Sequence, residues 1–353
     1  MNIKTDRFLW DHLQKSDKPI VMYGMGNGAD KILEVAERYG VEICDFFASD
    51  GFVRGHLFHG KRVLSYSEAK EKYHDMIVLL SFASSLEGVM KNFYKIASEC
   101  EFYAPDVPVF GDVLFTPAFV KNNIDKINSV YNLLSDERSK EIYENVINYK
   151  LTGDISYLRA AESSEDEVNS LINAKSFTSY ADLGAYTGDT VKKMLDAAPN
   201  MKKIIALEPD ARNFRKLAAY AESEQRCPIS AYNLGAWSHE DTLFFDASGN
   251  RNANIGENKK GKTAEVDALD NILAGEAIDY IKYDVEGSEK EALLGTKKTI
   301  EKYAPTLLVS LYHRSEDIFE LSLLVKELCP DYKLYLRRFP YVPAWDLNLY
   351  AIK

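Results

Sequence analysis

Short apolar runs alternate with segments of helical periodicity over the first hundred residues. The runs lie at residues 18–23, 42–47 and 76–81, and the helical segments lie at residues 29–39 and 65–73. Apolar runs of this length are typical of buried strands, and their alternation with helices is typical of a parallel sheet covered by helices. Residues 1–115 are therefore predicted to form a small Rossmann-like α/β domain.

Residues 116–175 have apolar positions at helical spacing only, for example Ile142, Val146 and Ile147. We predict two or three helices here, which link the N-terminal domain to the rest of the chain. The acidic run at residues 162–167 is interpreted as the exposed start of one of these helices, with polar residues that cap it.

Strands and helices alternate again over residues 176–353. The predicted strands are 177–183, 204–207, 229–234, 280–283, 306–311, 332–336 and 347–352, and the predicted helices are 188–198, 210–222, 288–303 and 316–329. A polar insertion follows the third strand. The last two strands are joined by a loop of about ten residues, which permits a hairpin but no parallel crossover. The pattern predicts a mostly parallel seven-stranded sheet that ends in an antiparallel strand.

The composition excludes several classes of function. The 353 residues carry a formal net charge of -11, so no general positive field is available to hold nucleic acid or an anionic membrane. The four cysteines lie far apart, which favours free thiols in a reducing compartment over a zinc site or disulfides. Because no apolar stretch has the length of a signal core or a membrane span, a cytoplasmic protein is expected.

A glycine-containing turn follows the first strand of the C-terminal region, in the segment D-L-G-A-Y-T-G-D-T. Gly184 and Gly188 allow the backbone to approach a ligand just before a helix, whose first N–H groups are free. Tyr186 occupies the position at which dinucleotide enzymes have their middle glycine. Dinucleotide binding is therefore disfavoured at this turn.

An acidic residue follows the next strand. Glu208 lies 20 residues after Gly188, at the carboxyl end of the neighbouring strand, where its carboxylate can accept hydrogen bonds from both hydroxyl groups of a ribose. Asp210 directly precedes the following helix and is better explained as its cap. We predict that Glu208 binds a ribose.

A third group of acids follows the strand D-Y-I-K-Y. This strand delivers Asp284 and Glu286 to the same sheet edge, next to the crevice, and both are candidate functional residues. Ser288 and Glu291 have the spacing of a capping box, and Glu289 lies where it can complement the helix dipole. These last three residues are interpreted as structural.

Six short motifs, which follow one another along the chain, together make this region resemble one known family. They are D-L-G-A-Y-T-G-D-T, A-L-E-P-D, N-L-G-A-W-S, L-D-N-I, D-Y-I-K-Y-D-V-E-G-S-E and L-Y-A-I. In this order they resemble the FkbM-type methyltransferase family over about residues 176–353. The resemblance implies a class I methyltransferase fold with S-adenosylmethionine as cofactor. It also implies O-methylation of a sugar, a sugar nucleotide or a related small molecule.

The resemblance further implies which residues contact the cofactor. They are Asp182, Gly184, Gly188, Glu208 and the segment from Asn233 through Gly235 and Ala236 to Trp237. Tyr186 and Thr190 in the same turn, and Asp284 at the strand edge, are further candidates for this role.

Methyl transfer requires alignment of the acceptor oxygen with the methyl group, and a hydroxyl acceptor also needs a base. His313 closes the next strand at the same edge, so His313 or Asp284 is the predicted base, with Glu286 beside them. Asp284 could instead hold the cofactor or orient the acceptor. A histidine with two carboxylates could also hold magnesium or manganese, but no ligand spacing requires this and no metal is predicted.

The last loop contains two arginines and several aromatic residues. Arg337 and Arg338, with Phe339, Tyr341 and Trp345, could clamp a phosphate or stack on a sugar ring. Alternatively, the aromatic residues could simply cover the edge of the sheet.

The N-terminal domain has a glycine turn of its own. Gly24, Gly26 and Gly28 could bind a nucleotide phosphate, with Asp45 or Asp50 as the ribose acid, although the spacing is not the full fingerprint. The domain loosely resembles those attached to sugar-modifying transferases, which implies at most a nucleotide-sugar or carrier-binding role, or a docking surface.

Two alternative functions follow from this turn: an NAD-dependent oxidoreductase and a non-catalytic nucleotide-binding module. For the methyltransferase, the expected partner is a small-molecule or glycan acceptor. Neither nucleic acid nor a membrane is expected as a partner, and assembly into a homo-oligomer stays open.

Overall fold

The computed structural model describes residues 1–245 and 262–353 of the chain. The middle of the predicted polar insertion, residues 246–261, lies outside the described residues. In the described parts, two large sheets are joined by a group of helices. None of the helices in these parts has both the length and the apolar character that a membrane span requires.

The N-terminal sheet has five parallel strands in the order β5-β2-β1-β6-β7, which confirms the predicted α/β pattern. A 3-10 helix at Thr5–Arg7 precedes it. In chain order the elements are α1 (Leu9–Lys15), β1 (Ile20–Tyr23), α2 (Asn27–Arg38), β2 (Asp45–Ala48), β3 (Leu57–Phe58), β4 (Lys61–Arg62), β5 (Leu64–Ser65), α3 (Tyr66–Tyr73), β6 (Ile77–Leu80), α4 (Glu87–Glu99) and β7 (Glu101–Tyr103). Strands β3 and β4 form a separate hairpin. The sequence analysis did not predict α1, α4 or the three-residue strand β7.

Five helices follow, where two or three were predicted. They are α5 (Pro117–Asn122), α6 (Ile124–Leu133), α7 (Glu137–Thr152), α8 (Ile155–Ala160) and α9 (Glu165–Leu171), and a 3-10 helix at Ala174–Ser176 ends the group. Polar N-cap residues begin three of these helices, because Asp136, Asp154 and Ser164 each accept a backbone hydrogen bond from the first helical turn. The breaks before α7 and α8 follow the polar pairs at residues 135–136 and 153–154, whereas the breaks before α6 and α9 were not predicted. The cap at Ser164 also confirms that the acidic run begins a helix.

The C-terminal sheet has the predicted seven strands, in the order β10-β9-β8-β14-β15-β17-β16. Its strands and the helices between them are β8 (Ser179–Leu183), α10 (Asp189–Ala197), β9 (Lys203–Leu207), α11 (Ala211–Ser223), β10 (Ile229–Tyr232), β14 (Tyr280–Tyr283), α13 (Glu289–Leu294), α14 (Lys297–Tyr303), β15 (Thr306–Ser310), α15 (Asp317–Leu328), β16 (Lys333–Arg338) and β17 (Leu347–Ile352). The final strand β17 is antiparallel to both of its neighbours, β15 and β16, as the short preceding loop predicts.

The polar insertion contains structure that the sequence analysis missed. Strands β11 (Gly235–Ala236), β12 (Asp241–Phe245) and β13 (Lys262–Asp267) form a small sheet, and helix α12 (Leu269–Leu273) follows. The predicted helix 288–303 is in fact two helices, because the chain breaks at Gly295. A Cβ atom on Gly295 would lie 1.9 Å from the carbonyl oxygen of Trp237, so a close contact between the two backbones occupies this position.

Buried hydrophobic residues connect the three regions. The larger of two clusters contains residues of the N-terminal sheet, of the connecting helices and of the C-terminal sheet, for example Val78, Ile147 and Val309. In addition, Ser84 and Val342 exchange backbone hydrogen bonds of 2.9 and 3.1 Å, which joins the loop after β6 to the loop before β17. The boundaries 1–115, 116–175 and 176–353 remain a prediction about domains.

Candidate functional site

The predicted cofactor turn and the acidic segment meet at the centre of the C-terminal sheet. Strands β8 and β14 are adjacent and parallel, with Leu183 beside Tyr283. The chain adds β9 and β10 on one side of β8, and then β14 and β15 on the other. At such a switch the carboxyl ends of the two central strands border a crevice, which is where open α/β sheets bind ligands.

The turn after β8 packs directly on the end of β14. Gly184 has a φ of +85°, and a Cβ atom there would lie 1.9 Å from the carbonyl oxygen of Asp284. Tyr186 and Gly188 also have left-handed backbones, with φ of 49° and 93°, and Gly188 is the N-cap of α10. Only glycine tolerates both the conformation and the contact at position 184.

Asp182 supports this turn from within the protein. Its side chain is completely buried, and its two oxygens accept hydrogen bonds from Thr190 Oγ1 and from Lys282 Nζ, the latter at 3.1 Å. Lys282 also donates to the Gly184 carbonyl oxygen at 3.3 Å. Asp182 is thus bound to α10 and to β14, on the two sides of the turn, and direct contact of Asp182 or Thr190 with a cofactor stays a prediction.

Lys282 is a site residue that the sequence analysis missed. Its Nζ lies between two acids, 3.1 Å from Asp182 Oδ1 and 3.7 Å from Asp284 Oδ2. Burial lowers the pKa of this lysine, but the two carboxylates outweigh burial and raise the pKa above its ordinary value. The available signal was a lysine inside an otherwise apolar strand.

Glu208 lies beside the turn, as predicted. Its Oε2 accepts the Tyr186 N–H at 2.9 Å and its Oε1 accepts the Asp210 N–H at 2.9 Å. Burial raises the pKa of Glu208, and these hydrogen bonds oppose that shift only in part. The side chain of Asp210 accepts two N–H bonds at the start of α11, which confirms it as a helix cap.

The segment from Asn233 to Trp237 borders the same corner. Asn233 Nδ2 donates to the Glu208 carbonyl oxygen at 2.8 Å, and so holds the loop that carries this acid. Gly235 and Ala236 form β11 beside β13. The structure therefore brings the segment next to Glu208, while its contact with a cofactor stays a prediction.

Asp284 follows β14, and 30% of its side chain is exposed. Its Oδ1 accepts a hydrogen bond of 2.9 Å from the Tyr312 hydroxyl. Burial raises the pKa of Asp284, but Lys282 and His313 lower it more, so the pKa is below its ordinary value and the carboxylate is ionised. Glu286, with a left-handed φ of 54°, exposes 57% of its side chain.

The imidazole of His313 is completely buried and faces three acids. Its Nδ1 lies 2.9 Å from Glu289 Oε1, and its Nε2 lies 3.7 Å from Asp284 Oδ1 and 3.6 Å from Glu286 Oε2. Burial lowers the pKa of His313, but the acids, led by Glu289, raise it to about 9. The structure thus brings the three predicted catalytic residues together, and the raised pKa weighs against His313 as the base at neutral pH.

Glu289 is the second site residue that the sequence analysis missed. It is 1% exposed, and its Oε1 also accepts the Val285 N–H at 2.9 Å. The principal partners of Glu289 are therefore His313 and the loop between β14 and α13. The sequence analysis had assigned it only to the helix dipole. The prediction of a capping box formed by Ser288 and Glu291 is wrong. The Ser288 side chain makes no capping hydrogen bond at the start of α13, and a capping box requires one.

A segment from outside the C-terminal region covers one side of His313. The Phe110 N–H donates to the His313 carbonyl oxygen at 3.0 Å, and the two ring centroids are 5.8 Å apart. A Cβ atom on Gly287 would lie 3.1 Å from the Phe110 ring. Lys31 on α2 donates to the carbonyl oxygens of residues 108 and 109, at 3.1 and 2.8 Å, which ties this segment to the N-terminal sheet.

The hypothesis of an arginine phosphate clamp is wrong. Arg337 is buried and forms ion pairs with Asp136 at 2.7 Å and with Glu167 at 2.6 Å. Arg338 is completely buried and donates to the carbonyl oxygens of Leu158, at 2.9 Å, and of residue 341. Both guanidinium groups therefore join β16 and its loop to the connecting helices instead of facing a ligand.

Two aromatic residues of the last loop, Tyr341 and Trp345, lie near Asp284 through Tyr312. The ring centroids of Tyr312 and Trp345 are 6.4 Å apart, and those of Trp345 and Tyr341 are 5.5 Å apart. The Tyr312 hydroxyl donates a hydrogen bond to Asp284. Phe339 packs instead against the smaller buried cluster.

The N-terminal glycine turn keeps the geometry of a strand-turn-helix unit. Gly24 and Gly26 have φ of 109° and 100°. A Cβ atom on Gly28 would lie 2.1 Å from the Ser81 carbonyl oxygen, so this glycine allows α2 to pack closely on the end of β6. A ligand at this turn remains a prediction.

Of the two acids predicted to bind a ribose at that turn, Asp45 does not lie near it. Asp45 lies at the amino end of β2, opposite Val21 and away from the turn, where it forms an ion pair of 2.7 Å with Lys72. Its assignment as a ribose acid is wrong. Asp50 follows the carboxyl end of β2 and accepts hydrogen bonds of 3.0 and 2.8 Å from Ser67.

Comparison with known proteins agrees with this geometry. Residues 182–342 match the sequence model of the methyltransferase FkbM domain. Among curated proteins none matches the chain. A crystal structure of methyltransferase FkbM from Methylobacillus flagellatus KT is similar with a TM-score of 0.70 and 22% identity, covering 98% of this chain and 91% of that one. At this identity the likeness shows a shared fold, which here includes the N-terminal region.

Two other solved structures are similar to about half of the chain. Aeropyrum pernix fibrillarin, in complex with natively bound S-adenosyl-L-methionine, has 13% identity and a TM-score of 0.34, covering 53% of this chain and 74% of that one. Precorrin-6y C5,15-methyltransferase from Geobacter metallireducens GS-15 has 12% identity and a TM-score of 0.33, covering 55% and 93%. TM-scores this low carry no weight here. The sequence match over residues 182–342, on a sheet whose glycine turn and ribose-type acid meet at the strand switch, identifies this part of the chain as a methyltransferase FkbM domain with S-adenosylmethionine as its cofactor.

Proposed function

We propose that the protein transfers a methyl group from S-adenosylmethionine to a hydroxyl oxygen of a small molecule, of which a sugar or sugar derivative is the best candidate. The observation that carries this proposal is the position of Asp284. Its partly exposed, ionised carboxylate follows directly on the backbone that packs against Gly184 in the cofactor turn. An acceptor hydroxyl held by Asp284 would therefore lie beside the cofactor.

The residues around the turn fit the cofactor. Each Glu208 oxygen accepts one backbone N–H and retains a lone pair, so the pair can accept the two ribose hydroxyl groups. The Tyr186 N–H joins this acid to the turn, so a ribose bound to Glu208 would lie beside the turn. When bound, the cofactor supplies a methyl carbon on a positively charged sulfur, and the electron pair of the broken carbon–sulfur bond stays on sulfur.

Asp284 has two tasks in this proposal. Its carboxylate accepts a hydrogen bond from the acceptor hydroxyl and so orients an oxygen lone pair toward the methyl carbon. It then receives the hydroxyl proton as the new oxygen–carbon bond forms. Tyr312 and Lys282 hold the carboxylate in place through contacts of 2.9 and 3.7 Å.

A sugar acceptor is supported by the surroundings of Asp284. Carboxylates bind hydroxyl groups, and aromatic side chains pack on the apolar face of a sugar ring; Tyr312, Trp345 and Tyr341 form such a group next to Asp284 and Glu286. The net charge of -11 disfavours a nucleic-acid acceptor.

The test is methyl transfer to a panel of acceptors. The purified protein would be incubated with S-adenosylmethionine and with monosaccharides, sugar nucleotides, catechols, amines or RNA, and the products analysed by mass spectrometry for one added methyl group. We expect a product among the hydroxylated small molecules, with the methyl group on oxygen. Transfer only to nitrogen or only to RNA would overturn the proposal.

Two variants link the reaction to the site. Asp284→Asn should lower kcat by roughly 10²- to 10⁴-fold, since it removes the group that receives the proton, while the affinity for S-adenosylmethionine changes little. Asp279→Asn is the matched control, because Asp279 precedes the same strand at its opposite end. Equal losses of kcat in the two folded variants would show that Asp284 has no special role.

A further inference from the structure

The ring of His313 faces carboxylates on both of its nitrogen atoms. The imidazole is completely buried, and its Nδ1 lies 2.9 Å from Glu289 Oε1. Its Nε2 forms ion pairs with Asp284 at 3.7 Å and with Glu286 at 3.6 Å. A neutral imidazole has one N–H and one acceptor nitrogen, whereas an imidazolium has an N–H on both, and an ionised carboxylate only accepts. The geometry therefore matches the imidazolium and not the neutral ring.

The charged groups around the ring agree with this assignment. Four acids face it from three elements: Asp284 and Glu286 after β14, Glu289 on α13, and Asp317 on α15. The neighbouring Arg314 donates from its Nε to the Gly287 carbonyl oxygen at 3.2 Å, and Tyr312 and Phe110 present aromatic rings to the imidazole. Burial lowers the pKa of His313, but the acids, led by Glu289, raise it to about 9.

Glu289 joins the ring to the loop that carries the acids. Its Oε1 faces His313 and also accepts the N–H groups of Val285, at 2.9 Å, and of Gly287, at 3.3 Å. These two residues flank Glu286, and both Glu286 and Gly287 have left-handed backbones, with φ of 54° and 91°. One buried carboxylate oxygen thus fixes this strained loop relative to the imidazole.

We propose that His313 acts as a buried imidazolium that positions the carboxylates of Asp284 and Glu286 for methyl transfer, and that Glu289 holds the ring in this role. The ring is completely buried, so it acts through the two carboxylates and does not itself touch the acceptor. His313 and Glu289 are then positioning residues. The inference rests on the proposed function, in which Asp284 receives the hydroxyl proton.

This role predicts a pH dependence opposite to that of a base. A general base works in its deprotonated form, so kcat/KM would rise as the pH rises through the pKa of His313. A positioning imidazolium works in its protonated form, so kcat/KM should fall there, because the ring loses its ion pairs with the two carboxylates. The direction of the change therefore separates the two roles.

The protonation state of His313 is measured first, without cofactor or acceptor. The full chain, labelled with ¹⁵N in histidine, would be titrated by NMR. The other histidines are exposed and can be replaced singly by glutamine, which assigns the His313 signals by elimination: His12, His56, His59, His74 and His239. We expect both nitrogens of His313 to carry a proton at neutral pH, with a pKa of about 9. A neutral ring at neutral pH would overturn the proposal, and no buried variant is needed to see it.

Glu289→Gln then tests the link between the ring and the reaction. Removal of this charge should lower the pKa of His313 by about 1 to 3 pH units. The alkaline fall of kcat/KM should follow the pKa that NMR gives for each protein, and so move to lower pH in the variant. At neutral pH, turnover should fall by roughly 10- to 100-fold, with little change in S-adenosylmethionine affinity.

Asp270→Asn is the matched control. Asp270 also accepts two backbone N–H groups, those of Lys298 and Thr299 at 2.9 and 3.0 Å, but its contacts are at the start of α14. It should leave the pKa of His313 and the pH profile unchanged, whatever its effect on stability. A pH profile that shifts equally in both variants would overturn the proposal.

The outcomes separate this inference from the proposed function. Methylation of a hydroxyl with kcat/KM that rises or stays constant through the pKa of His313 would reject the positioning role and retain the proposed function. Transfer only to nitrogen or to RNA would reject the proposed function. The same pH profile, measured with that acceptor, would then still support or overturn the role of His313.

Discussion

Glu208 is the residue whose position most directly predicts cofactor affinity. Its carboxylate is almost fully buried beside the turn, and a hydrogen bond to a charged acceptor contributes about 1.5–3 kcal/mol. Glu208→Gln should therefore weaken S-adenosylmethionine binding by roughly 10- to 100-fold, as measured by isothermal titration calorimetry. Asp210→Asn, two residues on, keeps a capping side chain and should bind the cofactor normally. A comparable loss in both variants would argue against a specific ribose contact.

The site residues also differ in whether their roles could be predicted from the sequence. Glu208 and Asp284 directly follow strands, so their place at the sheet edge is a local property. Glu289 and Lys282 were assigned no site role, because a charged residue in a first helical turn or in a strand is usually structural. Their partners, His313 and Asp182, are distant in sequence and adjacent only in the folded chain.

At the scale of elements, Asp279 ties the start of β14 to the start of β8. Its Oδ2 accepts hydrogen bonds from Thr178 N and Oγ1 and from Ser179 N, at 2.7, 2.8 and 3.0 Å. Burial raises the pKa of this acid, but the hydrogen bonds lower it more, and its pKa is below the ordinary value. The ionised form is thus the form that stabilises the fold.

Asp279→Asn should lower the free energy of unfolding by about 1–3 kcal/mol near neutral pH. Because the folded pKa is depressed, the native contribution is complete above the unfolded pKa of about 4 and is lost as the pH falls through the folded pKa. The difference between the two proteins should therefore shrink in acid, as measured by urea denaturation at several pH values. A difference that stays constant down to strongly acidic pH would contradict this explanation.

The strands of the C-terminal sheet were predictable, and the sheet inside the polar insertion was not. The seven strands of the C-terminal sheet have strongly apolar runs, and their order along the chain matches the prediction. The sheet β11-β13-β12 consists of strands that contain many polar residues, and their pairing depends on the fold around them. Likewise, the close approach of the Trp237 carbonyl oxygen to Gly295, between α13 and α14, is a tertiary contact that no local pattern reveals.

At the scale of the whole molecule, the segment around Phe110 makes the site dependent on the N-terminal region. Phe110 is 2% exposed and covers His313, so Phe110→Ala should cost about 3–5 kcal/mol of unfolding free energy. It should also lower the rate of methyl transfer by roughly tenfold or more, because the groups around His313 would lose their alignment. Cofactor affinity should not change, since Phe110 packs on His313 and Gly287, on the side of the acids after β14.

Phe115→Ala is the control for this variant. Phe115 lies on the same segment and is also 2% exposed, but its ring packs on Phe119 instead of His313. Denaturation and steady-state kinetics should show a similar loss of stability with nearly normal turnover. If the two variants lose turnover equally, the effect comes from general destabilisation and not from the contact with His313.

The sequence alone determined the α/β class, the seven-stranded sheet, the cofactor turn and the acids at the strand ends. These features follow from periodicity, from glycine and from position relative to a strand, all of which are local. Only the tertiary structure decided that Arg337 and Arg338 serve the fold, that Asp45 is at the wrong end of its strand, and that Glu289 and Phe110 surround His313. Those outcomes depend on which residues, often more than about a hundred positions apart, share one buried space, and packing sets this rather than local propensity.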